Sequence, residues 1–125
     1  MNIRPCTPDQ ARPFLERAQG FDVSAGVVSL DENMDGSELF LVEVDGQPCA
    51  AFSLRISGRT VWVVQAGGSA PGADLIAETL PVIEQMARAV HAASLAFSTQ
   101  RPGLVRKMSR RGYEVTGVTL RKSMQ

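Results

Sequence analysis

The apolar positions of this chain follow two periods, and each switch between them marks an element boundary. Met1 to Pro5 suits a short opening strand. Thr7-Pro8-Asp9-Gln10 has the form of a capping box, with Thr7 as N-cap, Pro8 at the first helical position and Gln10 reaching back to the Thr7 amide. Behind it Ala11, Phe14, Leu15 and Ala18 share a helical stripe, and Gly20 is a plausible stop. Residues 21–36 are mixed and fit a short helix or a loop equally well. Three strands follow. Glu38 to Val44 leads into Asp45-Gly46, a dipeptide suited to a tight hairpin because both positions take positive φ. Pro48 to Ile56 returns, with the proline at the strand start, where its missing N–H is harmless. After Ser57-Gly58, Thr60 to Gln65 is almost continuously apolar, as expected of a central strand buried on both faces, and it carries the single tryptophan, Trp62.

The next stretch, QAGGSAPGADL at residues 65–75, is a glycine-rich loop that opens a helix. On that helix Ile76, Leu80, Ile83, Ala87 and Val90 recur at helical spacing. Pro81 interrupts the stripe; a proline inside a helix costs about 3 kcal/mol, so a bend or break is expected there. Ser94 to Ser98 reads as a short strand. Arg101 to Arg111 reads as a basic helix with Leu104, Val105 and Met108 inward and Gly112 as its stop. Tyr113 to Lys122 then reads as a closing strand. The order strand, helix, three-strand meander, helix, strand, helix, strand describes one α+β domain over residues 1–125.

A chain of 125 residues is long enough for one modest core. No window approaches the roughly 20 apolar residues of a membrane span. The opening MNIRPCTPDQ lacks the apolar core of a signal peptide, which makes the cytoplasm the expected location. Cys6 and Cys49 have no metal-ligand spacing and read as buried thiols. With His91 the only histidine, neither a histidine-rich zinc site nor a histidine triad is expected, and no metal is. The net charge is zero but unevenly spread. Residues 101–125 hold seven basic groups against Glu114 alone, a balance of +6, and the rest of the chain is therefore at -6. Such asymmetry fits a phosphate-bearing partner and fits a solvated helix face equally.

Three segments, in order, carry a resemblance. MNIRPCTPDQARPFL is similar to the opening strand and capped helix of the GNAT N-acetyltransferase superfamily, LVEVDGQPCAAFSL resembles its hairpin, and LVRKMSRRGYEV resembles its C-terminal helix-Gly-aromatic-strand segment. The resemblance covers nearly the whole chain and implies a central mixed, mostly antiparallel sheet flanked by helices. It also implies acetyl-CoA or another acyl-CoA on the central strand, with the diphosphate held by backbone amides of the loop that opens the next helix. The physics is general, because unpaired amides and the helix dipole favour an anion there, and glycine permits close backbone approach. The cofactor-binding residues so implied are Val64, Gln65, Gly67, Gly68, Gly72 and Ala73, with Thr99 at the end of the fifth strand.

The chain also departs from that family. Its pattern of Gln or Arg, two residues, Gly, one residue, then Gly or Ala does not align here without a mismatch. Asp74 sets a negative charge near the diphosphate position, and equally reads as a helix N-cap. Met108 stands where such enzymes commonly have a tyrosine that protonates the leaving thiolate, and methionine has no proton to give. Tyr113, the only tyrosine, matches a packing position. The final two-strand hairpin is reduced to one strand, or to two very short ones broken at Gly117. Candidates for catalysis are Glu43, near Asp45, as a general base, and Ser98 as a hydrogen-bond donor beside the thioester; a solvent-facing carboxylate and a helix-capping hydroxyl are the plainer readings.

Two functions emerge. One is an acyl-CoA-dependent N-acyltransferase of unknown amine acceptor. The other is a noncatalytic descendant of the same fold, similar to the compact GNAT-like proteins of phages and prophages and then virion-associated. There Arg106, Lys107, Arg110 and Arg111 would contact nucleic acid through its phosphates, or an acidic protein. An apolar sheet edge is expected to allow homodimer formation.

Overall fold

A computed structural model describes residues 1–18, 29–72 and 74–124. The elements are β1 (Asn2–Pro5), α1 (Pro8–Arg17), α2 (Leu30–Met34), β2 (Glu38–Val44), β3 (Gln47–Ser57), β4 (Thr60–Gly68), α3 (Leu75–Ala89), β5 (Ser94–Phe97) and α4 (Pro102–Ser109). The five strands form one sheet in the order β1-β2-β3-β4-β5. All neighbours are antiparallel except β4 and β5, which run parallel. The fold class is therefore α+β, as the element order implies, and the sheet is mixed and mostly antiparallel, as the resemblance implies.

Local chemistry sets the element starts. Both bonds of the α1 capping box form: the Gln10 amide donates to Thr7 Oγ1 at 3.3 Å and the Thr7 amide to Gln10 Oε1 at 3.0 Å. Asp45 (φ 52°) and Gly46 (φ 77°) turn the β2–β3 hairpin through the left-handed region that Asp-Gly tolerates. The sheet separates two apolar layers. On one face Ala11 and Leu15 of α1 and Met34 of α2 pack on Leu39, Leu41 and Ala51. On the other, Ile83 and Ala87 of α3 pack on Val42, Ala50, Phe52, Leu54 and Val61. The cross-strand partners Phe40 and Phe52 stack there, ring centroids 5.2 Å apart.

The structure corrects four expectations. Strand β4 runs on to Gly68 instead of ending at Gln65. Trp62 is 39% exposed, so β4 is not covered on both faces along its length. Helix α3 continues through Pro81 without a break; its ring sits in the second turn, and the Thr79 hydroxyl meanwhile bonds the Leu75 carbonyl. Residues 113–122 form no strand, because nothing among the described residues pairs with them and a lone strand has no ladder to stabilise it. Gly20 and residues 21–28 lie outside the described residues. The rest of the ambiguous 21–36 segment resolves into α2, whose cap is a second capping box, Ser29 with Glu32.

No helix among the described residues is long and apolar enough to cross a membrane. Cys6 and Cys49 are free thiols, half-buried instead of fully enclosed, and burial pushes both above the usual thiol range.

Candidate functional site

The sheet opens between β4 and β5, and a bulge marks the place. Leu54 pairs with Val63 and Ser53 with Gln65, so Val64 is an extra residue on β4 with no partner in β3. A bulge of this kind bends its strand and sharpens its twist. The parallel ladder with β5 stops at the same level, its last pair being Val63 with Phe97. Beyond it β4 continues for five residues to Gly68, while the segment after β5 leaves the sheet at Ser98. The two parallel strands therefore stop pairing at Val64, and the slot implied by the resemblance falls between Val64–Gly68 and Ser98–Thr99, at the end of the sheet from which the chain enters α3.

The slot thus brings together most of the residues implied by the resemblance, but the glycines divide into two kinds. A Cβ on Gly67 would lie 2.2 Å from the Phe14 carbonyl oxygen, and one on Gly68 2.3 Å from the Cys49 carbonyl oxygen. These two are glycines because α1 and β3 press against β4, whatever else binds there. Gly72 differs: its φ is 75° and nothing lies within 4 Å of the Cβ position. It is an open turn before α3. Ala73 lies outside the described residues.

At the start of α3, Asp74 is the N-cap and its Oδ1 accepts the Ala77 amide at 3.1 Å. The other first-turn amides, of Leu75 and Ile76, have no acceptor within the helix. Lys107 Nζ of α4 donates to both Asp74 carboxylate oxygens, at 2.9 and 2.8 Å. That bond, then the Ala77 amide, holds the Asp74 carboxyl below the usual carboxylate range. The repulsion expected between Asp74 and a diphosphate is consequently offset by Lys107, which lies 33 residues further along the chain. Because the folded value is depressed, the contribution of Asp74 to stability is present above the ordinary carboxylate range and is lost as pH falls through the depressed value. Lys107→Met is expected to return the Asp74 titration toward that ordinary range, read by NMR of the carboxyl carbon; an unmoved titration would show that the pair does not form in solution.

The acid-base candidates fall elsewhere. Glu43 Oε1 accepts Arg4 Nε at 2.6 Å. It sits on β2, two strands from β4, and the structure does not bring it to the slot. Asp45 occupies the hairpin turn. Met108 is 4% exposed and packs as core. The Tyr113 ring lies against Phe97 with centroids 5.9 Å apart. Burial, together with the charge and hydrogen bond of Glu84, pushes its phenol up to about 12. Ser98 is exposed at the mouth of the slot. Thr99 Oγ1 accepts the Arg101 amide at 3.0 Å, in the turn before α4; Arg101 is the N-cap of α4 and no side chain caps it, so neither Ser98 nor Thr99 is the capping hydroxyl. Of the basic residues on α4 and in the turn that follows it, Arg106, Arg110 and Arg111 are exposed and Lys107 is engaged by Asp74.

One feature went unread in the sequence. Ser53 Oγ and Gln65 Oε1, on directly paired residues beside the bulge, are buried without a hydrogen-bond partner. Each such atom costs about 1–3 kcal/mol. Only the strand register reveals that the two residues are partners across the ladder.

No protein-family model matches this sequence, and no curated protein matches it. Solved structures do match in shape. A Bacillus subtilis acetyltransferase in complex with CoA superposes with a TM-score of 0.69 at 14% identity, covering 93% of this chain and 78% of that one. Glucosamine-6-phosphate N-acetyltransferase from Arabidopsis thaliana gives 0.67 at 12% identity, over 99% and 98% of the two chains. A GNAT family acetyltransferase from Elizabethkingia anophelis with acetyl-CoA bound gives 0.66 at 13%, over 93% and 77%. At such identities the likeness speaks to architecture, and the architecture is that of the GNAT acetyltransferases.

Proposed function

We propose that this protein is an acyl-CoA-dependent N-acyltransferase. The observation that carries the reading is the end of the β4–β5 pairing at the Val64 bulge, on the strand that leads into α3. The β5-facing backbone of Val64–Ala66 offers edge N–H and C=O groups for the amides of a pantetheine arm. The turn at Gly72 and the amides of Leu75 and Ile76 offer a seat for the diphosphate, with Asp74 already neutralised by Lys107. CoA and acetyl-CoA in two of the similar structures support the same ligand class here.

In the reaction an amine nitrogen forms a bond to the thioester carbonyl carbon, the C–S bond breaks, and the amine proton leaves for solvent or the departing thiolate. The chain contributes positioning and backbone donors, and needs no metal for this step. Isothermal calorimetry with acetyl-CoA and with desulfo-CoA tests the reading: binding at micromolar concentrations is expected for both, and none at millimolar concentrations would overturn it.

A specific observation favours a second reading, a noncatalytic member of the fold. The position where such enzymes commonly carry a tyrosine is held by Met108, which is core, and the one tyrosine, Tyr113, packs its ring on Phe97. In that case the exposed Arg106, Arg110 and Arg111 form the working surface, against nucleic acid phosphates or an acidic protein, in the cytoplasm or in a phage particle. Binding of a short duplex that weakens steeply with salt, without acyl transfer to any amine, would select this reading.

A further inference from the structure

The sheet face turned toward α1 and α2 carries a polar spot at the level of the bulge. On β3 the side chains of Ala51 and Arg55 point that way. Ala51 packs with Ala11 and Leu15 of α1. Arg55 donates to the Asn33 and Asp35 carbonyls and to Ser37 Oγ, at the end of α2. Ser53 lies midway between Ala51 and Arg55, so strand alternation sends it to the same face. Its register partner Gln65 shares that face, as Trp62 shares the face of its partner Arg55. With Val64 the extra residue, Trp62 and Gln65 become successive on this face, in rows about 7 Å apart.

Two atoms of the spot lack a partner. Ser53 is 0% exposed and its Oγ bonds nothing. Gln65 Oε1 is likewise enclosed and unpartnered, although Gln65 as a residue is only half-buried. A carboxamide oxygen can only accept and a hydroxyl can do either, so a ligand that satisfies them brings N–H or O–H donors. Both atoms are neutral. An ammonium placed on them would be desolvated without a carboxylate, and the Arg55 guanidinium in the next row would repel it. Trp62, in that same row, keeps indole surface in the open for a flat ring.

We propose that the acyl acceptor is an aromatic amine, with its ring on Trp62 and its two N–H bonds directed at Gln65 Oε1 and Ser53 Oγ. The inference rests on the acyl-CoA reading and names its acceptor class. It also answers a need of the site. Glu43 is held by Arg4 two strands away, whereas an aliphatic amine, with a pKa of about 10 like that of lysine, has to lose a proton before it attacks. An aromatic amine is already neutral at pH 7, because its lone pair delocalises into the ring. In the transfer its nitrogen bonds to the thioester carbonyl carbon and the C–S bond breaks. The nitrogen gives up one proton and the departing thiolate takes one up, which yields an anilide and free CoA.

Acetyl transfer by the full chain to 4-methoxyaniline and to cyclohexylamine, at pH 7 and saturating acetyl-CoA, tests the proposal beside calorimetry with acetyl-CoA alone. The anilide is expected to form with a kcat/KM at least about tenfold above that of the cyclohexylamide. Trp62→Leu and Gln65→Leu are each expected to raise the KM for the aniline roughly tenfold. Acetyl-CoA binding with equal or better transfer to cyclohexylamine, or with transfer to neither amine, overturns the aromatic acceptor and leaves the cofactor reading standing. An unchanged KM in Gln65→Leu means that water alone satisfies that oxygen, and this too overturns the proposal. Absence of acetyl-CoA binding overturns both.

Discussion

Alanine at position 67 is expected to lower the unfolding free energy by about 3 kcal/mol, and alanine at position 68 by more. At Gly67 the new methyl would meet the Phe14 carbonyl oxygen at 2.2 Å and its carbon at 3.1 Å. Backbone atoms cannot rotate aside as a side chain can, so α1 has to lift from the sheet and uncover Ala11 and Leu15, both fully buried. At Gly68 the clash involves Cys49 O at 2.3 Å and Ala50 at 2.5 and 2.6 Å, and a φ of 122° adds backbone strain. Gly72→Ala is the control: with open space around it, only its φ of 75° matters, a cost of about 1 kcal/mol. Urea unfolding with midpoints compared at constant m measures all three. Equal, small losses across the three positions would mean that β4 does not extend past Gln65 and that this stretch is a free loop.

Gly72→Asp is expected to weaken acetyl-CoA binding by ten- to a hundredfold while leaving the fold intact. Aspartate tolerates positive φ better than most residues, and the site has room for a side chain. Its carboxylate would stand on the turn into α3, where the proposed diphosphate sits. Two unit charges about 4 Å apart repel by about 1 kcal/mol in water and about 4 kcal/mol at a surface-like effective dielectric, which spans that loss. Gly72→Asn, similar in shape and uncharged, is expected to retain affinity. Calorimetry of the three proteins decides the matter. Equal affinities would remove Gly72 from the site without touching the assignment of the fold.

These two expectations rest on glycines whose roles the sequence could not separate. Gly67, Gly68 and Gly72 look alike in QAGGSAPGADL, because glycine signals a need for space or for positive φ without saying which. Only the approach of Phe14, 53 residues earlier in the chain, tells the first from the last. Where the determinants were local, the chain was readable. The Thr7–Gln10 capping box, the Asp45-Gly46 turn and the Asp74 cap all form as their residue types require. The Ser29–Glu32 box was equally local, but the apolar pattern around it was too short to draw attention to it.

Nonlocal features were less visible. The parting of β4 and β5 follows from a register shift, and no residue type spells out a register. The Lys107–Asp74 pair joins elements 33 residues apart. Residues 113–122 read as a strand because their composition is that of one, yet strand formation needs a neighbour, and composition does not supply it.

The partial exposure of Trp62 has an optical consequence. It is the only tryptophan of the chain, it faces Ala96 across the β4–β5 ladder and it borders the cavity beside β5. Its indole therefore emits from the seam where the sheet ends, and the colour of that emission tracks how much water reaches the spot. The molecule carries its own fluorescent gauge for any event that dries this edge, with no dye attached and no second indole to blur the signal.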